Sequence, residues 1–344
     1  MIPLSTVGRL RLKTALAIAI VSLSGVSLSR PACGWQMAVA ETDATIVVTQ
    51  NGKPVVTYNK ASPPCPSGVD PVFQRSGCLH PIFSPQGKAV TEMFPVDKPH
   101  QHGVFSAWVN ATFDDRSVDC WNLAKRTGRV RHGRVVSTST QDDRAGFDVE
   151  LVHTATGGTE VDLLVERWNV TVWKTDRSWH CFDIATTQTA ATKKPLIVNQ
   201  HHYGGMAFRG PASWLTDDDG YARQHPELPR VKSDFLTDRG HDRRSGNQQP
   251  ANWVALVAGN GPEAVTVAVL GHPKNFRAPQ RVRLHPTKPY CCFAPCSTGA
   301  FTITADQPLR GNYRFFIADG SLRPDWLDRQ WQAWAVDALQ PPVD

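Results

Sequence analysis

The sequence lacks the motifs that assign several common enzyme classes. It contains no G-x-S-x-G nucleophile motif, no phosphate-cradling glycine loop and no H-E-x-x-H motif. After residue 28, no segment stays apolar over the roughly 20 residues that a membrane-spanning helix needs. These absences argue against a serine hydrolase, a nucleotide enzyme, a zincin peptidase and a bundle of membrane helices.

The first 40 residues have the features of a secretory signal. Three basic residues precede an apolar stretch over residues 14–28, and Ala38-Val39-Ala40 supplies small residues for cleavage before Glu41. We therefore predict a signal peptide over residues 1–40 and export to the periplasm or the cell exterior. A single uncleaved N-terminal anchor is the alternative.

The chain without its signal has little excess charge of either sign. The formal net charge of the whole sequence is +6, and removal of Arg9, Arg11, Lys13 and Arg30 with the signal lowers it to +2. Binding to nucleic acid or to an anionic membrane needs a concentrated basic face. We therefore expect neither partner after cleavage.

The cysteine count is odd once the signal is removed. Seven cysteines remain, so at least one thiol is unpaired. Cys65 and Cys78 flank a loop rich in proline and glycine, which makes them the strongest candidates for a disulfide in an exported chain.

Strand patterns dominate the remaining sequence. Residues 45–58 form two β-branched runs around Asn51-Gly52, which predicts a hairpin. From Gly133 onward, alternating runs separated by turn residues predict an antiparallel meander. A sheet with one apolar face must bury that face, so we predict a single all-β domain over residues 41–344, built as a two-sheet antiparallel β-sandwich.

Two segments depart from the strand pattern. Residues 323–339 carry Trp326, Leu327, Trp331 and Trp334 near one stripe, which predicts a C-terminal helix packed on the sheet. Residues 216–250 show little periodicity, which predicts a functional loop or a partly disordered insert.

His100 and His102 are the first candidates for chemistry. In a strand, residues i and i+2 point to one face, so the two imidazoles lie side by side. Gly103 after them permits close approach of a ligand or another backbone. The alternative is a pair of polar residues on an ordinary hydrogen-bonded face.

Two later segments add basic and amide groups. The segment at 199–211 contains His201, His202 and Arg209, and the Arg fork suits a carboxylate or vicinal hydroxyls. A second segment, residues 271–279, contains Pro273 and Pro279. Rigid polar loops of this kind frequently bind ligands. Its candidate residues are His272, Asn275 and Arg277.

The same histidines permit a metal hypothesis. His100 and His102 lack the glutamate that follows the His-x-His pair in cupin-type metal sites, since Ser106 and Ala107 stand there. A divalent metal therefore needs further ligands, for which His80, His201 or His202, and His272 are candidates. We assign no metal-binding residue and leave a divalent ion as an alternative.

Several short motifs follow one another along the chain: His80-Pro81, Pro85-Gln86-Gly87, Asp97, His100, Gly103, Gly205 to Arg209, and His272-Pro273-Lys274-Asn275. In this order they resemble the PmoA-like proteins, a family of exported bacterial proteins that carries a methane-oxygenase label. Lys98 and Gln101 stand where that family often has histidine, and Ala255 where it has aspartate.

The resemblance implies a large β-supersandwich similar to that of galactose mutarotases. It implies a carbohydrate-active or sugar-binding protein, with epimerase-like acid–base chemistry in a cleft and no resident cofactor. We expect His100, His102 and His272 to be catalytic, and Glu92, Glu166 or Asp238 to be the base. A metal-dependent hydrolase or oxygenase and a non-catalytic saccharide-binding module are the alternatives. The expected substrate-binding residues are His80, His202, Arg209, Asn275 and Arg277.

Overall fold

A computed structural model describes residues 36–175 and 177–343. The described residues belong to one compact unit, and most of them lie in or between β-strands. In chain order, the strands are β1 Met37–Glu41, β2 Thr45–Gln50, β3 Lys53–Asn59, β4 Cys78–Ile82, β5 Val104–Ala107, β6 Ala111–Phe113, β7 Arg116–Val118, β8 Gly128–Thr140, β9 Arg144–Ala155, β10 Val161–Trp173, β11 Trp179–Ala190, β12 Leu196–Val198, β13 Gly205–Arg209, β14 Ser233–Thr237, β15 Trp253–Ala258, β16 Val265–Gly271, β17 Val282–Leu284, β18 Tyr290–Phe293, β19 Phe301–Ile303 and β20 Leu309–Asp319. The α-helices are α1 Gly220–Gln224 and α2 Pro324–Val336.

The strands form two large antiparallel sheets and one small one. The first sheet has the order β1-β2-β3-β4-β5-β13-β18-β17, and the second has the order β14-β15-β16-β20-β11-β10-β9-β8. The small sheet has the order β19-β12-β6-β7. The main apolar core contains residues from all three sheets. The prediction of an all-β sandwich with a C-terminal helix is confirmed.

The predicted hairpin forms between β2 and β3. Asn51 and Gly52 both have positive φ, at 53° and 72°, as a tight two-residue hairpin turn requires. The turn brings Gln50 opposite Lys53 and fixes the register of the pair, apart from a bulge after Val48. The local sequence therefore determines this corner of the first sheet.

Helix α2 covers the face of the second sheet that points away from the first sheet. Along β16, Val267 and Val269 pack into the main core, whereas Ala268 and Leu270 pack with Trp334 of α2. This alternation follows from the opposite directions of successive side chains in a strand. The second sheet is therefore buried on both faces near α2.

Several expectations need correction or lie outside the described part. Cys65 and Cys78 are free thiols rather than a disulfide. Residues 216–250 include α1 and β14, so this segment is not a structureless insert. Strand β1 spans the predicted cleavage site, and residues 1–35 of the predicted signal peptide lie outside the described residues. No helix within the described ranges is long and apolar enough to cross a bilayer.

Candidate functional site

The outer face of the first sheet carries the candidate site. Ser106 of β5 points toward the second sheet, because Gln188 of β11 donates a hydrogen bond to its Oγ at 3.2 Å. Side chains alternate along β5, β13 and β18, and the registers align these strands. Phe105, Arg209 and Tyr290 therefore point away from the second sheet.

A cleft of about 140 Å³ opens on this outer face. We call it the outer cleft, and none of its nine lining residues is acidic. Its lining residues are Lys98, His100, Gln101, Trp121, Asn122, Tyr203, Arg283, His285 and Tyr290.

His100 enters the outer cleft from the turn that precedes β5. The prediction that His100 and His102 share one face of a strand is wrong, because residues 99–100 form a turn and β5 begins only at Val104. Gly103 ends the turn with φ +55°, and an added Cβ there would lie 2.1 Å from the Leu79 carbonyl oxygen. This tight crossing follows both histidines, which lie in the turn and irregular backbone that precede β5.

The two histidines consequently have different environments. His102 is fully buried, packs edge-on against Phe94 with ring centroids 5.0 Å apart, and has no hydrogen-bond partner for either ring nitrogen among the described residues. His100 lines the cleft, and burial followed by the Lys98 and Arg75 charges lowers its pKa to about 4. Its imidazole is therefore neutral at pH 7 and able to accept a proton.

A second imidazole of the cleft, His285, was not among the sequence candidates. Burial, followed by Arg283 and Lys288, lowers its pKa to about 3. Its Nδ1 accepts hydrogen bonds from the backbone N–H groups of Thr287 and Lys288, both at 3.2 Å. The neutral ring therefore carries its proton on Nε2. His285 lies two residues after Arg283, directly after the short strand β17. This spacing is the only sequence signal that the two side chains share a face.

Arg209 lies beneath the outer cleft and is not among its lining residues. Its guanidinium is fully buried and donates to Asp97 Oδ2 at 3.1 Å and to Gln101 Oε1 at 2.9 Å. Lys288 Nζ lies 2.9 Å from Asp97 Oδ2 and 2.8 Å from Asp219 Oδ2. Burial raises the pKa of Asp97, but Arg209 and Lys288 outweigh it and lower that pKa. The charged network fixes the turn that carries His100.

Aromatic rings form the other wall. The Trp121 ring lies 5.3 Å from the Tyr203 ring and 5.9 Å from the Tyr290 ring. Asp119 Oδ1 accepts from the backbone N–H groups of Trp121 and Asn122 at 2.9 and 2.8 Å, so the buried carboxylate fixes this segment. An aromatic wall with a few fixed polar groups is the usual composition of a small-molecule site.

Two further predicted residues are not among those that line the cleft. The exposed His202 packs against Tyr203, with ring centroids 4.7 Å apart. His80 Nδ1 is 3.0 Å from Thr91 Oγ1, and burial lowers the pKa of His80 to about 4. His202 therefore contacts a residue of the cleft, whereas the partner of His80 is Thr91.

The structure does not bring His272, Asn275 and Arg277 into the outer cleft. His272 is buried under α2, 4.9 Å from the Trp334 ring, on the opposite face of the sandwich. Asn275 Nδ2 donates to Asn312 O at 2.9 Å, and Arg277 Nη1 donates to Pro295 O at 2.7 Å. The predicted convergence of His272 with His100 is therefore wrong, since this loop is held by its own packing.

The carboxylates considered as bases are also outside the cleft. Glu92 accepts the backbone N–H of Ala212, and Glu166 is fully buried 2.7 Å from His153. Asp238 lies at the end of β14, where its backbone N–H bonds to Trp253 O. The epimerase scheme with a carboxylate base therefore does not fit the outer cleft.

Other features offer weaker alternatives. A groove of about 790 Å³ near Leu215 is larger, but its arginines pair with its own aspartates, such as Arg230 with Asp217 at 3.3 Å and Arg243 with Asp234 at 3.1 Å. Over the described part of the chain, no three His, Cys, Asp or Glu residues gather as a metal site would require.

The fold and the cleft define a β-sandwich protein with a polar, aromatic-walled site on one outer face. The chain belongs to a family of unknown function, DUF6807, whose family model matches residues 45–332. No curated protein matches the sequence.

Two solved structures show distant similarity. One is the heparan sulfate lyase HepC from Pedobacter heparinus, with 10% identity, a TM-score of 0.35 and coverage of 84% of this chain and 36% of that chain. The other is YeaD from Salmonella typhimurium, a proposed mutarotase, with 11% identity, a TM-score of 0.30 and coverage of 83% and 94%. This chain therefore spans little more than a third of the length of HepC.

Proposed function

We propose that the outer cleft binds a saccharide and that His100 exchanges a proton with it. The observation that carries the proposal is the neutral His100 imidazole, which faces the cleft and has no hydrogen-bond partner in the described structure. Most polar groups around it already form hydrogen bonds within the protein, as Arg209 and Asp119 do. The lowered pKa keeps this imidazole unprotonated, so a free ring nitrogen is available to accept a proton from a bound hydroxyl.

The opposite wall suits a sugar ring. Tyr203 is half-buried and lies between Trp121 and the exposed His202. Asn122 Nδ2 donates to the Tyr203 hydroxyl oxygen at 3.2 Å, which holds the phenol ring in place. Sugar rings present C–H groups to an aromatic face and hydroxyls to polar neighbours, so Tyr203, Asn122 and Gln101 supply both kinds of contact.

The cleft supports an epimerase-like ring opening in a revised form. That reaction removes a proton from a sugar hydroxyl and supplies one to the ring oxygen. His100 accepts the hydroxyl proton. Burial raises the pKa of Tyr203, so its hydroxyl stays protonated at neutral pH and serves as the donor. A module that binds saccharide without turnover shares the same cleft and differs only in the outcome of an activity assay.

Export and the likeness to the PmoA-like proteins extend this proposal. Arrival of the protein outside the cytoplasm would give it access to free saccharides. The signal-like sequence at the N-terminus supports export. Measurement of the N-terminus of the secreted chain tests it.

The test compares two histidine variants in a saccharide interconversion assay followed by NMR. We expect His100→Gln to lower the catalysed rate by about 100-fold or more, the range for loss of a general acid or base. His272→Gln is the matched control, since His272 lies under α2, and it should retain the rate. Full activity of His100→Gln would refute the catalytic role, and binding without any turnover by the wild type would leave the binding module.

A further inference from the structure

The outer cleft contains cations that no carboxylate neutralises. Lys98 and Arg283 line it, and neither forms an ion pair with any residue that the structure describes. Arg283 Nη1 donates to the neutral Asn247 Oδ1 at 3.0 Å, which orients the guanidinium without cancelling its charge. Lys98 is exposed and Arg283 is half-buried, so both side chains are accessible to a ligand.

The neighbouring charges cancel one another, which isolates the charge of these two residues. The cations Arg209 and Lys288 are matched by the buried acids Asp97 and Asp219. Asp119 is matched by Lys125, with Nζ 2.8 Å from Oδ2. The carboxylates of Asp97, Asp219 and Asp119 are therefore already paired with cations other than Lys98 and Arg283.

Arg75 adds a third uncompensated charge behind the cleft wall. It is 2% exposed, and its guanidinium lies 4.7 Å above the ring centroid of Phe105, which in turn packs on Trp121. Nη2 donates to Ser106 O at 3.4 Å, but Nε and Nη1 have no partner among the described residues. A buried cation without an acid extends its positive potential over several ångströms, because protein screens charge less than water does.

The two imidazoles of the cleft add no positive charge to that of Lys98, Arg283 and Arg75. Burial lowers the pKa of both rings, and Lys98 and Arg75 at His100 and Arg283 and Lys288 at His285 lower it further, so neither ring is positively charged at neutral pH. Both rings therefore offer hydrogen bonds without adding to the repulsion between cations. Such a cleft is complementary to an anion that also carries hydroxyl groups.

We propose that the outer cleft is selective for acidic saccharides and that Arg283 and Lys98 hold the sugar carboxylate. This inference rests on the proposed saccharide site and adds its substrate class. The planar guanidinium of Arg283 matches a carboxylate in two-point hydrogen bonding, and Lys98 supplies a point charge from the turn that carries His100. The Tyr203 wall then receives the sugar ring.

The experiment measures binding of glucuronate and of glucose to the full-length protein by calorimetry and NMR. We expect glucuronate to bind at least about tenfold more tightly than glucose, since one charge-assisted hydrogen bond is worth that ratio. Added salt should weaken glucuronate binding and leave glucose binding unchanged. Arg283→Gln and Lys98→Gln should each remove most of the preference.

Arg310→Gln is the control of matched charge, because Arg310 is exposed on β20 and donates to Thr187 Oγ1 at 3.2 Å. It should leave both affinities unchanged. Equal binding of glucose and glucuronate, or an Arg283→Gln variant that keeps the preference, overturns the acidic-sugar assignment while the saccharide site stands. Binding of neither sugar overturns the saccharide site itself. Inorganic sulfate serves as a further probe, and full competition by sulfate with no contribution from the sugar also overturns the assignment.

Discussion

Arg209 holds the turn of His100 through an ion pair that is closed off from water. Asp97 receives both Arg209 and Lys288, and its side chain is 1% exposed. Removing one partner from such a network leaves an unbalanced charge in a region of weak screening. The network is therefore important for stability as well as for the position of His100.

We predict that Arg209→Met destabilises the fold by about 3–5 kcal/mol, the usual range for breaking a buried ion pair from one side. Urea unfolding followed by tryptophan fluorescence measures the change. Arg134→Met is the control, because Arg134 pairs with Glu150 at 2.7 Å on the exposed surface of β8. We expect that variant to behave like the wild type. An equal loss in both variants would contradict the role of burial.

Residue types were easier to predict from sequence than their environments. The sequence marks both His100 and Arg209 as site candidates, yet one lines the cleft and the other lies beneath it. The i and i+2 rule failed for His100 and His102, because both lie before β5, which begins only at Val104. His285 was missed because its tautomer depends on backbone N–H groups that only the folded loop brings to it.

Helix α2 and the end of β16 form a structural unit on the face opposite the outer cleft. Trp334 is 1% exposed and contacts the His272 ring and the Arg314 guanidinium, at centroid distances of 4.9 and 5.2 Å. Burial of this indole explains why a histidine that looked catalytic is enclosed. The unit supports the second sheet and does not reach the cleft.

We predict that Trp334→Ala lowers the free energy of unfolding by about 3–5 kcal/mol, as for other large-to-small changes of buried aromatic residues. Saccharide affinity of the folded protein should stay at the wild-type value, because the affected element lies on the other face. Thermal unfolding and calorimetric binding on the same sample measure both. A loss of affinity at a temperature where the variant is folded would connect α2 to the site and contradict this separation.

Elements with strong local signals were predicted well. The Asn51-Gly52 hairpin is predicted by its turn residues. The tryptophan-rich helix is predicted by the helical period of its apolar residues. Residues 216–250 could not be predicted in this way. Helix α1 is only five residues long, and β14 is defined by pairing with β15, a partner distant enough that local sequence does not show it.

The whole molecule is a sandwich whose two outer faces have different roles. The outer face of the second sheet is covered by α2, while the outer face of the first sheet is covered by turns that leave the outer cleft open. The sequence predicted the sandwich and a site rich in basic groups. It could not determine which distant segments meet, because that depends on the strand order of β5, β13, β18 and β17.

The most direct test of this account is imidazole NMR of the full-length protein during a titration with glucuronate, with each ring assigned by substitution. We predict that the His100 and His285 ring signals shift together, that free His285 shows a proton on Nε2, and that the His272 signals stay in place. A response from His272, or no response from His100 when the sugar binds, would contradict the assignment of the outer cleft as the functional site.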